Sequence, residues 1–215
     1  MMKSLDALLA QSTFSPDDLL QLLKTEDPAE CEALYAEAFR RTTAVHGNCI
    51  YFRGLIEISN VCVYDCRYCG IRKSNRAARR YTLTRAEILE AARYALAAGY
   101  GSVALQSGER SDPKFVDFIE DVCAAIHRMS VEEFGMTGGC GMTLSFGEQT
   151  PQTYERWAHA AGNRRALRYL LRIETSNQAP FAHLHEGRCG AQKTWQARLR
   201  ALSDLRAAGY QVGTG

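Results

Sequence analysis

The chain has 215 residues, 46% hydrophobic and 23% charged, with 26 Lys and Arg against 24 Asp and Glu. A net charge of +2 gives no footprint for a nucleic acid or an anionic membrane surface. No apolar run approaches the roughly 18 residues of a membrane span, and the first residues lack a signal peptide's apolar core. We therefore expect a cytoplasmic globular protein that keeps its eight cysteines reduced.

Residues 1–48 read as a helical annex. Ser15 is an N-cap with Pro16 at the first helical position and Asp17 and Asp18 in the first turn. A second helix opens at Asp27-Pro28 and runs to about Val45, before Gly47. From residue 49 to 215 the pattern is strand, loop, helix, repeated. The predicted strands are Gly54–Ser59, Ser102–Gln106, Met142–Phe146, Arg168–Glu174 and Tyr210–Val212. The helices between them open at the Thr84-Arg-Ala-Glu87 capping box, at Pro113, at Pro151 and near Thr194. They are predicted to close near Gly99, Met129, Ala161 and Ala208.

Repeated strand–helix units imply parallel strands and an α/β fold, either a barrel or a doubly wound sheet. Alternation decides between them. Glu57 and Ser59, Thr143 and Ser145, and Arg168, Arg172 and Glu174 each share a face opposite apolar residues. A sheet covered by helices on both sides reads as continuous apolar runs. One polar face instead fits a (β/α)8-type barrel whose lumen holds a polar ligand, with about five strand units in this chain and the annex in front.

Cys62, Cys66 and Cys69 lie on the loop after the first strand, in Ser59-Asn-Val-Cys-Val-Tyr-Asp-Cys-Arg-Tyr-Cys-Gly70. Structural zinc wants four ligands, usually in two spaced pairs, and a disulfide would leave one thiol over. Three thiolates on one tight loop suit three corners of a [4Fe–4S] cluster, leaving one iron open. Cys31 and Cys123 sit in helical patterns as small buried hydrophobes. Cys49, Cys140 and Cys189 are scattered singly, the last two beside glycines, and carry no assigned role.

The spacing Cys-x3-Cys-x2-Cys with Tyr68 before the last cysteine resembles the signature of the radical SAM enzymes. More narrowly, the chain is similar to the HydE family of [FeFe]-hydrogenase maturases. The segments that carry the likeness are Arg53–Cys62, Cys69-Gly-Ile-Arg72 with Asn75 and Arg80-Tyr81, Leu105–Glu109, Thr143–Glu148, Tyr169–Asn177 and Arg198-Leu199 leading to Gly209-Tyr210. The resemblance implies a [4Fe–4S] cluster on Cys62, Cys66 and Cys69 and reductive cleavage of S-adenosylmethionine to a 5′-deoxyadenosyl radical. Backbone around Tyr68 would meet the adenine, Gln106, Ser107, Gly108 and Glu109 the methionyl amine, and Glu174 and Arg198 the charged groups of that cofactor. Thr143, Ser145, Arg168 and Arg172 would line the substrate cavity, where two guanidinium groups and two hydroxyls suit an anion. The plainer alternatives are a solvated helix position for Arg198 and an internal salt-bridge network of Arg168 and Arg172 with Glu57 and Glu174.

The implied partners are a small-molecule or iron-complex substrate, an electron donor such as a ferredoxin or flavodoxin, and other hydrogenase maturation proteins. Methylornithine synthase, biotin synthase, an electron carrier and an inactive iron–sulfur fragment are the rival functions. Two departures from the family stand out. The glycine-rich segment 129–142 reads as a flexible insertion able to disturb the third strand. The chain also ends five strands into the barrel, as a truncated product would. Glu148 stays unassigned, and His183 and His185 are expected on a short loop in a surface or capping role.

Overall fold

The computed structural model describes residues 3–186 and 193–215, so Cys189 lies outside the described residues. It divides into two compact units, Met1–Ile50 and Tyr51–Gly215. The first holds helices α1 (Leu5–Leu9), α2 (Pro16–Leu23) and α3 (Pro28–His46). Ser15 and Asp18 form a reciprocal capping box at the start of α2, and the Asp27 carboxylate accepts the Ala29 and Glu30 N–H groups at the start of α3. Cys31 is only half-buried, its thiol donating to the Thr25 carbonyl at 3.4 Å. The sequence pattern overstated its burial, because α3 has no fully buried residue.

The second unit is built on five parallel strands in the order β1-β2-β3-β4-β5, with β1 at Gly54–Ser59, β2 at Ser102–Ser107, β3 at Gly141–Ser145, β4 at Leu167–Leu170 and β5 at Gln211–Gly213. Between them run α4 (Arg85–Ala97), α5 (Pro113–Glu132), α6 (Pro151–Ala161), α7 (Gln178–His185) and α8 (Trp195–Ala207). A doubly wound sheet reverses its strand order partway. Here each strand lies beside the one before it, and right-handed crossovers then set every helix on the same face.

That face is the core. Ile56 and Ile58, Val103 and Leu105, Met142 and Leu144, and Leu167 and Tyr169 are all buried against helix residues such as Ile88, Ile119, Trp157 and Leu205. The other face stays open and polar. Leu55, Ala104, Thr143, Arg168 and Gln211 form one row across it, and Glu57, Gln106 and Ser145 form the next. This is part of the wall of a (β/α)8-type barrel. Among the described residues no helix is long and apolar enough to cross a membrane.

Three further expectations need correction. Segment 129–142 does not disturb β3. Helix α5 continues to Glu132, Met136 N–H returns to the Ser130 carbonyl at 3.0 Å, and Cys140 N–H meets Ser130 Oγ at 2.9 Å. These bonds deliver Gly141 in register with Ser102. Strand β4 closes at Leu170 rather than Glu174. Leu171 and Ile173 still donate to the Gly213 and Gly215 carbonyls, but Glu174 turns away at φ 63. His183 and His185 lie on helix α7, capped by Asn177, and not on a loop.

Trp157 anchors the helix layer. It is fully buried, packs edge-on to Phe146 at 5.5 Å and donates its indole N–H to the Val116 carbonyl at 3.0 Å. Trp157→Ala is expected to lower the unfolding free energy by about 3–5 kcal/mol, read as a shifted urea midpoint.

Candidate functional site

The loop after β1 is fixed by polar contacts rather than by packing. Ser59 Oγ donates to the Tyr81 carbonyl at 2.8 Å, and the Arg80 guanidinium donates to the carbonyls of Asn60, Ile71 and Arg72 at 2.6 to 2.8 Å. A planar fork with five donors can hold several carbonyls at once, as a lysine could not. Lys73 N–H bonds to the Tyr64 carbonyl, Cys69 N–H to that of Cys66, and Arg67 N–H to that of Leu184 on α7. The loop is therefore held at both ends and from the side.

Gly108, one residue beyond β2, is where this loop meets the sheet. A Cβ there would stand 2.3 Å from the Val61 carbonyl oxygen and 2.9 Å from Cys62 Cβ. Its N–H donates to the Ser59 carbonyl at 2.9 Å, and Val63 N–H donates to the Glu109 carbonyl at 3.0 Å. Only a residue without a side chain allows so close an approach.

Cys62, Cys66 and Cys69 carry free thiols, Cys66 buried and the others half-buried. Burial pushes the Cys66 thiol above its usual range. All three line one cavity of about 140 Å³. The same cavity takes in Tyr68, Gln106–Glu109, Ser145, Arg172, Glu174, Lys193 and Arg198. Among the described residues no three His, Cys, Asp or Glu side chains converge on a single-ion site, as structural zinc would require. Three free thiols lining one cavity, with the bare Cα of Gly108 beside Cys62, suit the three cysteine corners of a [4Fe–4S] cluster.

Two ion pairs border the cavity. Glu109 is almost fully buried and forms an ion pair with Lys193, while Glu148 N–H donates to its Oε1 at 2.9 Å. Burial pushes the Glu109 carboxyl up, and the Lys193 ammonium works against that rise. Gly147 has φ 74, and a Cβ there would sit 2.1 Å from the Glu109 carboxyl carbon. Arg198 is buried, bonded through Nε to Glu148 Oε1 at 2.6 Å and set 5.6 Å from the Phe181 ring. The solvated alternative for Arg198 is thus wrong. Tyr68 donates its hydroxyl to Glu174 Oε1 at 3.0 Å. Burial and that bond keep the phenol protonated far above its usual range.

The other expected residues divide between two places. Arg172 and Ser145 reach the cavity, whereas Thr143 and Arg168 lie a row deeper on the open sheet face. No ion pair joins Arg168 or Arg172 to Glu57 or Glu174 among the described residues, so the salt-bridge network is absent. Glu57 instead accepts from Gln106 Nε2 at 3.0 Å. Thr143 Oγ1 is buried without a partner.

Three residues were not foreseen here. Lys193 pairs across 84 positions, and no local pattern announces it. Glu148 follows a glycine at a strand end, which is a weak signal on its own. His185 is buried, accepts no bond at Nε2, bonds the Phe181 carbonyl through Nδ1 and stands edge-on to Tyr68 at 5.8 Å.

Two outcomes follow from this geometry. Gly108→Ala should cost about 1–3 kcal/mol through the forced shift of the loop and reduce the iron retained after anaerobic reconstitution. Burial holds the His185 pKa below 6.5, so the unfolded chain takes up a proton before the folded one. The neutral ring's contribution is complete above pH 6.5 and is lost as pH falls below it. The melting temperature should therefore drop further between pH about 7.5 and about 5.5 in the wild type than in His185→Gln.

Comparison with known proteins agrees with this architecture. The model of the Radical SAM superfamily matches residues 56–215. The chain is 35% identical over 208 residues to the [FeFe] hydrogenase maturase subunit HydE of Thermotoga maritima, covering 96% of this chain and 54% of the relative. It is 27% identical over 219 residues to 2-iminoacetate synthase of Escherichia coli K12, covering 95% and 55%. Among solved structures, methylornithine synthase (PylB) superposes with a TM-score of 0.77 at 25% identity, over 99% of this chain and 58% of that one. The chain thus spans about half the length of the curated relatives it matches. Members of the superfamily use a [4Fe–4S] cluster and S-adenosylmethionine. With its cysteine loop, its parallel sheet and this match, the chain belongs to the radical SAM superfamily.

Proposed function

We propose that the chain carries the cofactor half of a radical SAM enzyme that acts, as a HydE-like protein, in maturation of the [FeFe]-hydrogenase active site. The observation that carries the first part is the single cavity lined by Cys62, Cys66, Cys69, the β2 end Gln106–Glu109, Glu174 and Arg198. Cys62, Cys66 and Cys69 would hold three irons of the cluster. When bound, the cluster supplies one electron for reductive cleavage of the S-adenosylmethionine sulfonium bond.

The chain's own part is binding and orientation. The loop carrying Tyr68 offers backbone and an aromatic face to the adenine, and its hydroxyl fixes Glu174. Gln106, Ser107, Gly108 and Glu109 place polar groups at the strand end for the methionyl amine. Glu174 and Arg198 add a carboxylate and a guanidinium to the cavity lining. Arg168 and Arg172 with Thr143 and Ser145 offer the open sheet face an anion-binding surface. An electron donor such as a ferredoxin or flavodoxin, an iron-complex or small-molecule substrate, and other maturation proteins are the partners this reading requires.

The HydE-like assignment is supported by 35% identity to the Thermotoga maritima protein. Similarity to methylornithine synthase in structure favours, as second reading, another small-molecule radical SAM reaction. Reconstituted, reduced protein given S-adenosylmethionine should release 5′-deoxyadenosine, seen by mass spectrometry, and replacing Cys62, Cys66 and Cys69 by Ala should abolish it. No release by the wild type would sink the enzyme reading. The finer assignment predicts activation of an [FeFe] hydrogenase in cells lacking HydE, by this chain joined to the C-terminal half of the Thermotoga relative. Release of 5′-deoxyadenosine without that rescue would favour the second reading.

A further inference from the structure

The segment that closes the cysteine loop is where the chain concentrates its positive charge. Residues 65–81 carry six of the 26 Lys and Arg and one of the 24 Asp and Glu, a balance of +5. The other 198 residues together hold −3. The single acid, Asp65, is buried and accepts the Ser74 N–H at 2.9 Å. Three of the six cations are engaged by the protein itself. Arg67 pairs with Glu186 at 2.8 Å, Arg72 donates to the Cys69 carbonyl at 3.0 Å, and Arg80 holds the carbonyls of Asn60, Ile71 and Arg72. Lys73, Arg76 and Arg79 are exposed, and no carboxylate pairs with them among the described residues. By contrast Arg40, Arg41, Arg85, Arg93 and Arg156 each have a carboxylate at 2.6 to 2.8 Å.

The backbone gathers these three free cations onto one small surface. Asn75 N–H donates to the Arg72 carbonyl at 3.0 Å and Ala78 N–H to the Asn75 carbonyl at 3.4 Å, making two successive turns. Arg80 reaches back to the same two carbonyls, at 2.7 and 3.3 Å. Asn75 Nδ2 ties the turns to the Gly70 carbonyl at 2.7 Å, one residue beyond Cys69. Ile71 lines the cavity with the three cysteines, whereas Lys73, Arg76 and Arg79 do not. The segment thus has the cavity on one side and unpaired cations in water on the other.

A cluster in that cavity needs an electron from outside. Electron transfer weakens steeply with distance, so the donor must dock beside the cysteine loop. Such encounters bury little surface, below about 1,200 Å², and charge steers them more than area does. Cations without internal partners attract an acidic protein at no cost in broken ion pairs. A small anion would instead call for cations turned into a pocket. We propose that Lys73, Arg76 and Arg79 form the docking surface for an acidic one-electron carrier protein. This rests on reading Cys62, Cys66 and Cys69 as the cluster's ligands. One electron leaves the reduced carrier and enters the oxidised cluster; no bond forms or breaks.

The test takes an acidic plant-type ferredoxin as probe and reduced methyl viologen, a small cation, as control. One variant combines Lys73→Gln, Arg76→Gln and Arg79→Gln. A second combines Lys114→Gln, Arg128→Gln and Arg206→Gln, exposed positions outside the segment, for the same loss of net charge. At an ionic strength of about 0.02 M, ferredoxin should bind the wild type at least about tenfold more tightly than the first variant. It should also reduce the wild-type cluster at least about tenfold faster, followed by stopped-flow absorbance. Both differences should vanish at about 1 M salt. The second variant should match the wild type, and methyl viologen should reduce all three proteins at one rate. Equal binding and reduction by ferredoxin in the wild type and the first variant overturn the docking surface and leave the cluster's assignment standing. An equal loss in both variants does the same, since net charge would then suffice. Slow reduction of the first variant by methyl viologen also overturns it, because the three residues would be acting on the cluster itself. A wild type that methyl viologen cannot reduce overturns the cluster reading and the docking surface together.

Discussion

The buried carboxylate of Glu109 is the point on which the site turns. Its backbone carbonyl holds Val63 of the cysteine loop, its carboxylate accepts the Glu148 N–H beyond β3, and its charge is met by Lys193 ahead of α8. One residue thus ties together the ends of three separate strand–helix units. Burial makes the tie specific: each partner answers a charge that cannot be returned to water without opening the wall. Gly108 and Gly147 flank it because side chains there would occupy the space of Val61 and of the carboxylate itself.

Much of the fold was legible because the signals were local. Capping residues at Ser15, Asp27, Thr84 and Thr194 mark helix starts that the structure places within a residue. Alternation in β1, β3 and β4 separated an apolar face from a polar one, and the sequential strand order follows from that contrast. What could not be read was set by distance or by hydrogen bonds without a sequence period. The 129–142 segment looked loose because glycines suggest freedom, yet Ser130 bonds two returning backbone groups and orders it. Strand β4 looked longer because alternation persists through Glu174, whose positive φ no composition foretells. Helix α7 was missed because Pro180 and two histidines disguise a short helix capped by Asn177.

The site shows the same division. Cys62, Cys66, Cys69, Tyr68 and the Gln106–Glu109 strand end sit in compact motifs, and the structure gathers them into one cavity with Arg172, Glu174 and Arg198. Lys193 and Glu148 come from single residues whose partners are far along the chain, so neither could be paired beforehand. Burial also sorts the remaining thiols. Cys123 is fully buried in the helix layer, where burial pushes its pKa up to about 12, and it is not among the residues that line the cavity. It belongs to packing, as its helical setting suggested.

The sequential strand order bears on how the protein is made. Each new strand pairs with one already synthesised, so the sheet can grow outward as the polypeptide leaves the ribosome, without waiting for a distant partner. The cysteine loop emerges well before Lys193 and Arg198. During that interval Glu109 and Glu148 lack their counter-ions, and the thiols face water. A cluster assembled on that loop would meet Lys193 and Arg198 only once α8 has docked.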